Sequence, residues 1–242
     1  PLAEASLLPK EYVKAIVEDD VYRMDGIKRD TNKMRLLLRS LARNESTTVT
    51  NRTLKNDVKE IDDEDIDANT INEYLNIFER LFLINNQKPF AASVRSSVRI
   101  KQAVKRHFVD PSISAALLGV TSSSLLNDLE TLGLLFEALC ERDLQIYADA
   151  FGGSLYHYQD YKNREIDAVV ECPDGEWCAF EIKLGANQID AAAEGLLRLK
   201  AEFEADPRGR PPKVLCVLCG LSNAAYQRPD GVFVVPLTAL RD

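Results

Sequence analysis

Pro173-Asp174-Gly175 narrows the folds open to this chain more than any other feature of its sequence. Proline presets φ for the second position of a tight turn, and glycine accepts the positive φ that closes one. The flanking runs, 165–171 and 177–184, carry apolar residues at alternate positions in the manner of strands. An antiparallel hairpin centred on Asp174 is therefore expected. That register sets Asp167 opposite Glu181 and Glu165 opposite Lys183.

Directly opposed side chains stand about 4.5–5.5 Å apart at Cβ, and like charges there repel. Two facing carboxylates need a shared proton or a bound cation. Lys183 lies two residues after Glu181, hence on the same face. The opposite face, made of Ile166, Ala168, Val170, Cys178, Phe180 and Ile182, is the expected core side. Upstream, Glu137 is the single charged residue within 131–140. An unpaired buried carboxylate is costly, so Glu137 is expected to turn to a polar partner, with the acidic hairpin as the natural candidate.

Three oxygen donors and a lysine suit Mg²⁺ or Mn²⁺ better than Zn²⁺. The expected metal ligands are Glu137, Asp167 and Glu181. Such an ion polarises a phosphate and lowers the pKa of a bound water. Lys183 would position or deprotonate that water, or neutralise developing charge. The competing expectation is a surface hairpin whose ion pairs, Glu165–Lys183 among them, contribute about 0–1 kcal/mol each.

The rest of the chain divides in character. Residues 1–120 read as mainly helical, with helices at 11–20, 31–44 and 51–59. Another opens on Thr70-Ile71-Asn72-Glu73, which has the pattern of a capping box. Its apolar stripe is Ile71, Tyr74, Leu75, Phe78, Leu81 and Phe82. Its outward positions are Asn72, Glu73, Asn76, Glu79 and Arg80. Short strands follow, and three helices before a β-hairpin is the order of a winged helix. A helical connector with no DNA role is the plainer reading. Residues 121–242 read as α/β. A helix at 132–143 precedes strands at 154–158, 165–171 and 177–184. A helix at 188–204 follows, then strands at 213–219 and 231–235.

Net charge is −8 over 242 residues, which does not favour nucleic acid for the chain as a whole. The stretch 85–109 is nevertheless basic. It carries Lys88, Arg95, Arg99, Lys101, Lys105 and Arg106 without an acid, and such a strip can meet phosphate or simply face solvent. Cys216 and Cys219 form a C-x-x-C inside an apolar strand. There they point to opposite faces, so buried, reduced thiols are expected rather than a zinc or redox site. His107 and His157 are expected to be structural. No apolar run reaches the length of a membrane span, and the expected location is the cytoplasm. The chain starts Pro1-Leu2-Ala3-Glu4 without Met, so it is expected to be a fragment or a processed form.

The order α-β-β-β-α-β, with Glu137 in the helix, Asp167 on the second strand and Glu181-Ile182-Lys183 on the third, resembles the PD-(D/E)XK nuclease superfamily. Ile166 stands where that motif has proline. The wider pattern is similar to a domain of unknown function found C-terminal in prokaryotic AAA+ ATPases. It includes Asn69 through Leu75, Val104 through Asp110, Gly133 through Glu137 and Phe180 through Lys183. The resemblance implies an α/β (α+β) chain: a winged-helix-like domain at 1–120 and a restriction-endonuclease-like αβββαβ domain at 121–242. It implies catalytic roles for Asp167, Glu181, Lys183 and Gln188, with Mg²⁺ or Mn²⁺ as cofactor. It also implies DNA, or an ATPase domain or partner outside this chain, as partner. No G-x-x-x-x-G-K-[ST] is present, so the chain has no Walker route to ATP hydrolysis. Three functions stand open from sequence: a metal-dependent phosphodiesterase on DNA, a non-catalytic interaction module regulating an ATPase, and a sequence-specific DNA-binding factor.

Overall fold

The computed structural model describes residues 7–62, 65–91, 104–160, 164–206 and 209–240. The chain forms two compact units, Pro1–Asn86 with Val104–Ala138 and Gln87–Ala103 with Leu139–Asp242. The helix Leu129–Ala150 is continuous across position 138, so its first ten residues belong to unit 1 and the rest to unit 2.

Unit 1 begins with helix α1 (Leu8–Ala15), a π-helical turn Ile16–Asp20 and α2 (Val21–Asp25). Helices α3 (Thr31–Arg43), α4 (Asn51–Asp62) and α5 (Ala68–Arg80) follow. Next come strands β1 (Ile84–Pro89, through Asn86) and β2 (Lys105–Phe108). Helices α6 (Pro111–Leu118) and α7 (Ser122–Leu125) complete the unit with the start of α8 (Leu129–Ala150). The apolar stripes foreseen for α3 and α5 converge here: Met34, Leu37, Leu38, Ile71 and Phe78 are all fully buried in one core. The expected capping box at Thr70 is not the start of α5. Asp67 caps the helix three residues earlier, accepting from Asn69 and Thr70 N–H, and the Thr70 hydroxyl donates to Asp67. A carboxylate outcompetes a hydroxyl at this place because it also meets the positive end of the helix dipole. Glu73, freed from capping, accepts from Arg29 at 2.7 Å. The five expected outward positions of α5 are all exposed. Helices α1 to α5 precede β1 and β2, and Arg95, Arg99 and Lys101 lie outside the described residues.

Unit 2 is built on a mixed sheet in the order β1-β3-β4-β5-β6-β8-β7. Its strands are β3 (Ser154–Gln159), β4 (Glu165–Glu171), β5 (Trp177–Lys183), β6 (Val214–Cys219), β7 (Tyr226–Gln227) and β8 (Phe233–Val235). β1 joins through Lys88 and Pro89, parallel to β3. Helix α9 (Ile189–Ala205) connects the parallel strands β5 and β6 and buries Ile189, Ala192, Ala193, Leu196 and Leu199. Helix, three strands, helix, strand is thus the observed order. Trp177 anchors the core, with its ring centroid 4.7 Å from that of Phe90 and 5.3 Å from that of Phe203. Each such pair contributes about 0.5–1.5 kcal/mol beyond its buried area. Cys216 and Cys219 are free and buried within β6, and burial pushes the Cys216 thiol up to about 12.

Candidate active site

The turn at Pro173-Asp174-Gly175 sets the hairpin register as expected. β4 and β5 pair from Glu171↔Trp177 to Ala168↔Phe180, a ladder whose next rung is Asp167 with Glu181. At that rung a side chain replaces the main chain: Asp167 Oδ2 accepts the Ile182 N–H at 2.7 Å. On the other edge of β4 the register with β3 slips between Tyr156↔Val169 and Tyr158↔Ile166. Two residues of β4, Asp167 and Ala168, therefore face the single residue His157. This is a β-bulge, a device that re-aims a side chain at the end of a ladder.

Lys183 closes the cluster. Its Nζ lies 3.1 Å from Asp167 Oδ2 and 2.7 Å from Glu181 Oε2. The three side chains are only 12%, 13% and 27% exposed for Asp167, Glu181 and Lys183. Burial holds the Glu181 carboxyl well above the usual range, the Asp167 charge adds to this, and Lys183 only partly opposes them. Glu181 is also hydrogen-bonded to Asp167, an arrangement that needs one proton between two carboxyls. For Lys183, burial acts downward, but the two carboxylates outweigh it and the ammonium is held above its ordinary value. The site is one cation between two carboxyls, in which burial and the Asp167 charge favour the protonated form of Glu181.

Two expectations about the hairpin change. Glu165 does not pair with Lys183; it accepts from Gln159 Nε2. The acid-bearing face is not open to solvent, because Trp177 and Ala179 share it with Glu181 by the two-residue period of a strand and are both buried. Val169 and Ile166 join that same core while Ala168 and Val170 are buried too, so the sheet is covered on both faces.

The remaining expected site residues have partners of their own. Glu137 belongs to unit 1, where its carboxylate pairs with the buried ammonium of Lys105. Gln188 is exposed, and its Oε1 accepts the Gly185 N–H at 3.1 Å, closing the turn before α9. Among the described residues, no group of three or more His, Cys, Asp or Glu is arranged to hold a metal ion. One buried acid of unit 2 escaped the sequence reading: Glu141 is 2% exposed. Its signal was its place four residues after Glu137, on the same side of α8.

The basic stretch is partly internal. Lys105 is buried against Glu137, and Arg106 donates to the Val49 carbonyl and to Asn51 Oδ1. Burial lowers the Arg106 pKa. His107 is buried in unit 1, with Nδ1 3.4 Å from Ser46 Oγ and 3.7 Å from Glu45 Oε1. Among the described residues, no helix is long and apolar enough to cross a membrane.

Two family models match the chain. Residues 3–124 match a domain of unknown function, DUF8612, and residues 132–240 match a second domain of unknown function, DUF4143. No curated protein and no solved structure matches.

Proposed function

The chain belongs to the family described as a domain of unknown function, DUF8612, and on that premise we propose that its C-terminal half is a Mg²⁺- or Mn²⁺-dependent, nuclease-like domain acting on DNA phosphodiesters. In this reading unit 1 is winged-helix-like, unit 2 is PD-(D/E)XK-like, and the partner is a cytoplasmic AAA+ ATPase. The observation that carries it is the convergence of Asp167 and Glu181 on Lys183 Nζ at the β-bulge. The similarity of 132–240 to an AAA-associated domain family supports the partner.

The residues fit a hard divalent ion. Mg²⁺ is commonly held by one or two carboxylates, with water and substrate phosphate filling the other positions. Asp167 and Glu181 supply two carboxylates, and a dication would replace the proton they share. Bound there, it would polarise a phosphoryl oxygen and acidify a water. The protein's own contribution is orientation and charge. Ile182 N–H and the bulge fix the Asp167 carboxylate, and Lys183 supplies a fixed positive charge where a pentavalent phosphorus would accumulate negative charge.

Plasmid nicking with Mn²⁺ tests this reading. Wild-type protein is expected to cleave, and Lys183→Ala and Asp167→Asn are expected not to. Equal cleavage by all three would assign the activity to a contaminant.

A second reading, a non-catalytic module regulating a partner ATPase, is favoured by one observation: no three-donor metal group forms among the described residues. It predicts no cleavage and no rise in melting temperature with Mn²⁺ beyond that of Asp167→Ala. Binding linkage makes such a rise obligatory for a bound ion.

A further inference from the structure

Phe82 occupies a left-handed position that α2 and α6 give to glycine at their C-termini, while Ser46 is the other non-glycine residue described with a positive φ. Helix α5 ends in a complete Schellman motif: Leu83 N–H donates to the Phe78 carbonyl at 2.8 Å, and Phe82 N–H to the Glu79 carbonyl at 3.1 Å. The residue between, Phe82, is left-handed at φ +53°. Glycine accepts that conformation readily, whereas a bulky side chain there is strained. Two other helices of the unit end on left-handed glycines, Gly26 at φ +73° and Gly119 at φ +70°. At α5 the same turn carries a phenylalanine.

The ring gives the fold nothing in return. It is 76% exposed, while Phe78 and Leu83, the apolar pair that normally closes such a motif, are fully buried beneath it. A strained backbone holding an unburied aromatic ring is a cost that packing does not explain, and such strain gathers at functional sites. The surrounding residues indicate the chemistry. Asn76 and Arg80 lie four residues apart on the exposed side of α5, ahead of Phe82 at its end, while Asn72, one turn earlier, accepts from Asn51 Nδ2 at 2.6 Å. Asparagine amides pair with base edges, arginine stacks on bases or meets phosphate, and a flat ring stacks on an unpaired base. Of the two acids of this surface, Glu73 is bonded to Arg29, and Glu79 is exposed.

We propose that Phe82 is a stacking platform for an unpaired nucleobase, making the end of α5 a single-stranded nucleic-acid binding surface. It lies in unit 1 and needs no metal, so it stands or falls independently of the reading given for Asp167, Glu181 and Lys183.

The test is fluorescence anisotropy in EDTA, with labelled single-stranded DNA and RNA of about 20 nucleotides, together with the melting temperature of each variant. Phe82→Gly is expected to raise Tm by about 2–4 °C while weakening single-strand binding about tenfold or more. Phe82→Trp is expected to keep the affinity. Tighter binding of RNA than of DNA, or the reverse, names the source of the base. Three results overturn the proposal. Phe82→Gly could lower Tm, which makes the ring structural. Wild type and Phe82→Gly could bind single strands equally, or not at all. Phe82→Gly could abolish self-association in sedimentation while leaving single-strand binding intact, which assigns the ring to a protein contact.

Discussion

The backbone N–H of Ile182 donates to Asp167 Oδ2 at 2.7 Å, so a carboxylate continues the β4–β5 ladder where main-chain pairing stops. One side chain thus terminates the hairpin and contributes to the charged cluster. Asp167→Ala removes the acceptor of a buried donor, at a cost of about 1–3 kcal/mol. Asp167→Asn keeps an oxygen in place and is expected to cost less. Urea unfolding of the two variants measures this, and equal losses would show that the Ile182 bond contributes nothing specific.

Lys183 is the shared cation of two buried carboxyls. Lys183→Met is expected to destabilise on the order of 3 kcal/mol, since an unbalanced buried charge is left behind. The sign of its pH dependence follows from Glu181. Its folded pKa lies above the unfolded value, so its stability contribution is complete below about 4.5 and is lost as pH rises through about 8. Lys183 moderates that loss by favouring the ionised form. The gap between variant and wild type should therefore widen from about pH 5 to about pH 9. A gap that narrows would contradict the arrangement.

Glu45 offers a second titration, in unit 1. It is 1% exposed and accepts from the Ser114 hydroxyl and the Phe108 N–H. Burial raises its carboxyl from 4.5 to about 7 despite those bonds. Its contribution is complete below the unfolded pKa and is lost between there and about 7, on the order of 3 kcal/mol. Glu45→Gln cannot ionise. Relative to it, wild-type protein should lose stability across that window in unfolding experiments run at a series of pH values. Parallel curves would mean that Glu45 does not titrate there.

The buried pair Lys105–Glu137 lends itself to a double-mutant cycle. Lys105→Met alone strands a carboxylate and is expected to cost about 3–5 kcal/mol. Lys105→Met with Glu137→Leu removes both charges and is expected to recover most of that loss. If the double variant is as unstable as the single one, the cost lies in packing rather than in charge.

Much of the hairpin was legible before any coordinates. Pro173-Asp174-Gly175 dictates a turn through φ alone, and the turn dictates the register, so the approach of Asp167 to Glu181 follows from local chemistry. The helices at 31–43 and 189–205 were equally readable, because their apolar spacing repeats with the helical period. Glu137 shows where such reasoning ends. Its need for a polar partner was evident from its apolar surroundings, but the partner, Lys105, is 32 residues away and only packing within unit 1 brings the two together.

The sequence by itself determined the turn, the alternation and the identities of the charged groups, since these rest on φ preferences and periods that act over a few residues. The tertiary structure alone decided that Glu165 pairs with Gln159 rather than with Lys183, that a bulge opposite His157 lies at Asp167, and that the acid-bearing face is buried with Trp177. The physical reason is that desolvation and strand register depend on neighbours from distant parts of the chain. A carboxylate's environment cannot be computed from its own strand.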